Sequence, residues 1–242
     1  MLCLGNACPG TLREKRLLRL SIIIPTFNEA RNITDCLDSV FYQEHPCQVI
    51  VADGGSSDGT LDLVRPPAQV VAADKGRAGQ MNAGARLATG DVLLFLHADT
   101  RLPPGGLACL AKAMGQNTAP GGVFRLSFDP ASPLLNFYAW CTRFSCRLFH
   151  YGDAGIFIRR DLFEEMGGYA DLAIMEDLDL WLTLHRRGRP LILPRAVTTS
   201  SRRFLQHGAI RQQAVNAGLV ALWLLGVNHR KLAAWYYGKN GR

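Results

Sequence analysis

The sequence predicts an α/β fold, a mostly parallel sheet flanked by helices, followed by a mixed half and C-terminal helices. Apolar runs rich in Ile and Val (LSIIIPTF, QVIVADG, AQVVAAD and DVLLFLHAD) alternate with helix-like stretches at 29–42, 59–65, 77–88 and 103–115. Strands buried on both faces read as continuous apolar runs, which is the signature of a parallel sheet covered by helices. After Gly121 the pattern changes to GGVFRLSF, an aromatic-rich helix at 133–149, GIFIRR, a helix at 176–188 and RPLILPR. A chain of 242 residues that is 48% hydrophobic can bury a full core.

The elements divide the chain in order. Residues 1–19 form a flexible basic leader, because TLREKRLLRL interrupts any apolar signal core. Residues 20–100 carry the parallel layer and 101–210 the mixed half, with no Pro/Gly linker between them, so 20–210 reads as a single domain. Residues 211–242 read as a helical extension. Within it AVNAGLVALWLLGV (214–227) is apolar for 14 positions, against roughly 20 for a bilayer span, which makes it a core or interfacial helix.

Composition excludes several classes. Seven cysteines (Cys3, Cys8, Cys36, Cys47, Cys109, Cys141 and Cys146) lack C-x-x-C spacing, so reduced thiols in a cytoplasmic protein are expected, not a disulfide framework or a zinc cluster. From His185 to Arg242 there are eleven Lys or Arg and no Asp or Glu. That tail favours an anionic partner, either a diphosphate or an anionic membrane surface on the inner face. No zinc finger, recognition helix or aromatic RNA motif accompanies the charge, so nucleic acid is not expected.

In open parallel sheets ligands bind beyond the carboxyl ends of the strands. Four polar clusters fall there: PTFNE, ADGGSSDGT, ADKGRAG and HADT. ADGGSSDGT is not a phosphate loop, since no lysine precedes Thr60, and G-x-G-x-x-G is absent. Its Asp53 and Asp58 suit hydrogen bonds to a base or ribose, or simple capping of the next helix. In FLHADT, Asp99 suits Mg²⁺ or Mn²⁺, because a hard cation takes few protein carboxylates and completes its shell with phosphate oxygens.

Three later stretches add polar groups. EDLDLW opens a predicted amphipathic helix, with Glu176 and Asp177 in the first turn, where they serve either the helix dipole or as a general base. Asp153 of YGDAGIFIRR precedes a strand and reads as an acceptor contact or a turn residue. SSRRFLQHG supplies Arg202 and Arg203 for phosphate oxygens or a solvated basic face, and His207, an imidazole able to bind metal.

Together these stretches resemble glycosyltransferase family 2, across about residues 20–210. IIIPTFNE, VIVADGGSSDGT, KGRAGQMNAGARLATGD ahead of FLHADT, and a late ED pair carry the likeness in the family's order. The resemblance implies a GT-A fold, with a nucleotide-sugar half (20–100) and an acceptor half (101–210). It implies that Pro25, Thr26 and Glu29 line the nucleotide pocket, that Asp53 contacts the base, and that Arg77 and Asn82 sit near ribose and diphosphate. The family's D-x-D motif falls on His97, Ala98 and Asp99, so His97 replaces its first carboxylate and shapes the ribose side. Asp99 becomes the metal ligand, with His207 as a further one. FLHADT, GDAGIFIRR, TSSRR and the terminal WYYG also look like a short subgroup labelled by association with arsenosugar biosynthesis.

The implied chemistry is an inverting, metal-assisted transfer from a nucleotide-diphosphate sugar, with a UDP-sugar as the first expectation, to an unidentified hydroxyl on a lipid or small molecule. Asp177 is the implied base, with Glu176 beside it. A non-catalytic nucleotide or glycan binding module and a nucleotidyltransferase are the alternatives.

Overall fold

The computed structural model describes residues 17–144 and 152–238; the leader through residue 16 lies outside them. In chain order the elements are β1 (Leu20–Thr26), α1 (Ile33–Phe41), β2 (Cys47–Asp53), β3 (Gln69–Ala72), α2 (Arg77–Arg86), β4 (Val92–Phe95), β5 (Thr100–Arg101) and α3 (Gly106–Gln116). There follow β6 (Gly121–Asp129), α4 (Pro133–Cys141), β7 (Ile156–Arg159), α5 (Arg160–Glu165), α6 (Glu176–Arg187), β8 (Leu191–Ser200), α7 (Arg202–His207), α8 (Ala209–Leu224) and α9 (His229–Tyr237).

One sheet runs through both halves in the order β3-β2-β1-β4-β7-β6-β8-β5. β3, β2, β1 and β4 are parallel, β7 runs antiparallel to β4 and β6, and β6 pairs parallel with β8. The change from parallel to mixed pairing therefore falls at β4, just before His97. All seven residues of β1 and all four of β4 are buried, as their unbroken apolar runs require. Helix α2 lies close on β1: a Cβ placed on Gly84 would stand 2.5 Å from the Ile23 side chain.

Three elements differ from the sequence expectation, each for a local reason. The stretch at 59–65 forms only a 3-10 turn, Leu61–Leu63. Gly59 has φ +85°, Asp58 is drawn to the neighbouring loop, and Pro66 and Pro67 stop propagation. The aromatic helix ends at Cys141 instead of continuing to 149, and residues 145–151 lie outside the described residues. RPLILPR belongs to a longer strand, β8, that runs on to Ser200. Pro194 survives inside it because the register skips: Phe124 pairs with Leu193 and Arg125 with Ala196, leaving Pro194 and Arg195 in a bulge where no ladder donor is needed.

The apolar 214–227 stretch lies largely in α8. Leu219 packs with Ile174 and with Leu232 of α9 in a small satellite core, and Ala173 N donates to Nδ1 of His229 at 3.0 Å. The C-terminal helices thus buttress the turn that leads into α6. Among the described residues, no helix is long and apolar enough to cross a membrane. Cys36, Cys47, Cys109 and Cys141 are free thiols.

Candidate active site

The loops after β1 and β2 hold each other. Asn28 N donates to the Ser56 hydroxyl at 2.9 Å, Glu29 N to the Thr60 hydroxyl at 2.9 Å, and Ala30 N to Asp58 at 3.1 Å. Asn28 has φ +53°, a region that asparagine tolerates, and its side-chain oxygen accepts from Ser57 N. Beneath them the buried Gln80 amide donates to the Thr26 and Ala52 carbonyls at 2.6 and 2.9 Å, tying together the ends of β1 and β2.

A first cleft opens above these strand ends. Of the predicted residues it gathers Pro25, Thr26, Glu29, Arg77, His97, Ala98, Asp99 and Arg203. Gly76, at φ +145°, lets the chain turn into α2 so that Arg77 faces the cleft. Lys75, 4.2 Å from the ring centre of Phe27, adds a cation to the rim. Phe27, Lys75 and Gln80 also line the cleft, beyond the residues the sequence predicts, and the position of Lys75 in ADKGRAG at a strand end is the signal that points to it.

A charged cluster closes the cleft floor. His97 Nδ1 lies 3.0 Å from Asp153 and Nε2 lies 3.7 Å from Asp177, so both ring nitrogens of this buried imidazole face carboxylates. Burial and the nearby Arg77 disfavour its charge, but the two carboxylates prevail and raise its pKa from 6.5 to about 9. Asp153 is held well below the usual carboxylate range: burial opposes this, but the hydrogen bond and charge of His97, with Arg77 and Arg203, outweigh it. Arg77 stands 3.8 Å from Glu176 and 3.9 Å from Asp177. Its charge is secured by those carboxylates against the cost of burial.

Asp177 is positioned from two directions. Met175 enters α6 at φ 72°, a left-handed conformation costing about 1–3 kcal/mol for a bulky residue, and this turn directs the ED pair inward. The Tyr169 hydroxyl donates to Asp177 at 3.3 Å. Burial and the Asp177 charge push that phenol well above its ordinary pKa, so it remains a donor.

Other predicted residues are placed differently. Asn82, expected near ribose and diphosphate, is engaged by the Tyr169 backbone through a 2.9 Å bond to its carbonyl and a 2.8 Å bond from its N–H. Asp53, expected at the base, accepts from Gly55 N, Ser56 N and the Ser56 hydroxyl within its own loop, and is absent from the first cleft's wall. Arg202 pairs with Glu29 at 3.3 Å, leaving Arg203 as the arginine of SSRR on that wall. His207 is exposed on α7 and lines a separate cleft with Arg31 and Arg211.

Among the described residues, no three or more His, Cys, Asp or Glu converge to hold a metal by themselves. Asp99 fits a hard cation whose other ligands come from substrate oxygens. It lines the cleft, and the Thr100 hydroxyl approaches it at a weak 3.5 Å, leaving lone pairs to bind. His97 does not fit the same role, since both its nitrogens face carboxylates.

A second cleft is lined by Glu176 and Asp177. Arg77 and Arg203 line both clefts, and His97, on the wall of the first, reaches Asp177 on the wall of the second.

The family model described as "Glycosyl transferase family 2" matches residues 21–166, more than half of the chain. The chain belongs to glycosyl transferase family 2. A PGL/p-HBAD biosynthesis glycosyltransferase of Mycobacterium bovis is 36% identical to this family 2 chain over 163 residues, covering 62% of each protein. An uncharacterized glycosyltransferase of Nostoc is 28% identical over 118 residues, 45% of this chain and 37% of the relative. The family 2 chain thus spans less than two thirds of these relatives' lengths.

Solved structures share its fold. The mannosyltransferase PcManGT from Pyrobaculum calidifontis, in complex with GDP-Man and Mn²⁺, superposes with a TM-score of 0.64 at 24% identity, covering 85% of this chain and 62% of that one. S. aureus TarS 1-349 in complex with UDP gives 0.64 at 20% identity, covering 76% and 60%. The fold is the GT-A architecture expected from the sequence.

Proposed function

We propose that the chain is an inverting glycosyltransferase that moves a sugar from a nucleotide-diphosphate sugar to an acceptor hydroxyl. The observation that carries this reading is the meeting of two clefts at Arg77, His97 and Asp177. The acceptor hydroxyl must reach both the base and the anomeric carbon, and Asp177 on the second cleft's wall, 3.7 Å from His97 on the first, supports that reading. A binding module has no use for a buried carboxylate held by Tyr169 on a cleft wall.

The first cleft holds the donor, with the diphosphate toward Arg203 and Lys75. Asp177 accepts the proton as the acceptor O–H bond breaks, and the acceptor oxygen bonds to the anomeric carbon from the face opposite the diphosphate. The anomeric carbon–oxygen bond breaks with its electron pair remaining on the diphosphate, which inverts the configuration. Asp99 would hold a Mg²⁺ or Mn²⁺ ion, which supplies charge neutralisation to the leaving group. Arg77, between Glu176 and Asp177, keeps the base from accumulating like-charge repulsion with its neighbour. His97 and Asp153 position Asp177.

The reading predicts nucleoside diphosphate release from at least one member of a panel of UDP- and GDP-sugars with Mn²⁺ or Mg²⁺. Release of pyrophosphate instead would identify a nucleotidyltransferase, and binding without release a binding module. Peripheral contact with an anionic membrane is favoured by Ile210, Leu225 and Trp235, which are exposed on the same tail as Arg211, Arg230 and Lys231. Co-sedimentation with phosphatidylserine vesicles tests it.

A further inference from the structure

The second cleft has a chemistry of its own. It encloses about 120 Å³, close to the roughly 150 Å³ apolar cavity that admits benzene. Its charged groups, Arg77, Asp153, Glu176, Asp177 and Arg203, form one network, in which Arg77 meets Glu176 and Asp177 and Asp153 feels the charges of Arg77 and Arg203. The rest of the wall is mostly aromatic and aliphatic, with Asn216 and the tyrosine hydroxyls as its polar groups. Phe128 and Phe204 meet edge to face at 5.4 Å, the buried Leu219 joins the wall beside Ile174, and Tyr236 and Tyr237 cross at 4.8 Å. The Tyr236 hydroxyl already accepts from the Gln212 amide, which also donates to Asn216.

A polyhydroxylated acceptor would set most of its hydroxyls against the rings, away from the charged groups that could pair them. An apolar ring instead gains by leaving water, with edge and face contacts from the aromatic side chains. Much of this wall lies beyond residue 166, where the family match ends: Phe204, Leu219 and Tyr236 come from α7, α8 and α9. The chemistry therefore belongs to this chain's own C-terminal helices.

We propose that the second cleft binds the acceptor, and that this acceptor is a single apolar ring bearing a hydroxyl, a phenol or a cyclic alcohol, seated with that hydroxyl at Asp177. The inference rests on the transferase reading above. It adds no reactant: the ring O–H gives its proton to Asp177, the oxygen bonds to the anomeric carbon, and the diphosphate leaves with the electron pair.

The test measures binding of p-cresol and of glucose to the full chain by calorimetry, with UDP present and no sugar donor, beside nucleoside diphosphate release in a separate assay. Cresol should bind at least tenfold more tightly than glucose, and Phe204→Ala and Leu219→Ala should each weaken cresol at least fivefold while melting cooperatively. Equal binding of cresol and glucose by the wild-type chain overturns the inference, as does unchanged cresol binding in both folded variants. The wild-type comparison decides if neither variant folds. Cresol preference without diphosphate release upholds the ring site and counts against the transferase reading. Release without cresol preference overturns the ring site and leaves that reading standing.

Discussion

His97 Nδ1 lies 3.0 Å from Oδ1 of Asp153, a contact that joins the end of β4 to the turn before β7 across 56 residues of sequence. Through its other nitrogen the same imidazole faces Asp177 at 3.7 Å. The residue expected at the first position of a D-x-D motif thus links the two halves of the sheet. A carboxylate there would face Asp153 and Asp177 with like charge; a protonated imidazole suits the position.

The first prediction concerns pH. In the metal-free protein, His97 should titrate with a midpoint near 9, above its ordinary 6.5. Because the folded value is raised, the stabilisation is fully present below about pH 6.5 and is lost as pH rises through about 9. Its ceiling is on the order of 3 kcal/mol. The imidazole Cε1–H resonance of His97, followed by NMR, checks this, and the stability gap between wild type and His97→Gln should narrow over the same window. A midpoint at or below 6.5 contradicts it.

The metal role falls on one residue. Asp99→Ala should weaken UDP or GDP binding at least tenfold in Mn²⁺ and little in its absence, while His207→Ala, on a separate cleft, should change neither. Calorimetric titration with and without Mn²⁺ reads both. Metal-dependent binding that survives Asp99→Ala would contradict the assignment.

Asn82 serves through Tyr169. Removing its amide in Asn82→Ala leaves the Tyr169 N–H and carbonyl without their partner, at a cost of about 1–3 kcal/mol, and loosens the hydroxyl that holds Asp177. Tyr169→Phe removes that hydroxyl alone and should lower kcat with KM for the donor nearly unchanged. Thermal melting and steady-state kinetics separate the two effects. A raised donor KM with unchanged kcat in Asn82→Ala would instead place Asn82 against the donor.

The parallel half was legible because its strands are continuous apolar runs, and the strand-end rule located PTFNE, HADT and Arg77 around one cleft. What could not be read was side-chain direction. Asp53 and Asn82 sit in family-like motifs, yet Asp53 accepts from the backbone of its own loop and Asn82, on α2, bonds the Tyr169 backbone 87 residues away, partners that residue type alone does not reveal. The engagement of His97 by Asp153 depends on β7 pairing antiparallel to β4, a long-range register that no local pattern reveals. Likewise, RPLILPR is legible as a separate element, but the run of β8 past Pro194 to Ser200 depends on the skipped register opposite Phe124 and Arg125.

The central claim is that Asp177 is the base at the junction of the two clefts. Asp177→Asn keeps the volume and removes the basic oxygen, so the most direct measurement is nucleoside diphosphate release and nucleotide affinity in the same preparation of that variant. The account predicts release reduced at least a hundredfold with nucleotide affinity within about twofold of wild type, in the range that loss of a general base produces. Release at a rate comparable to wild type, with nucleotide still bound, would contradict it.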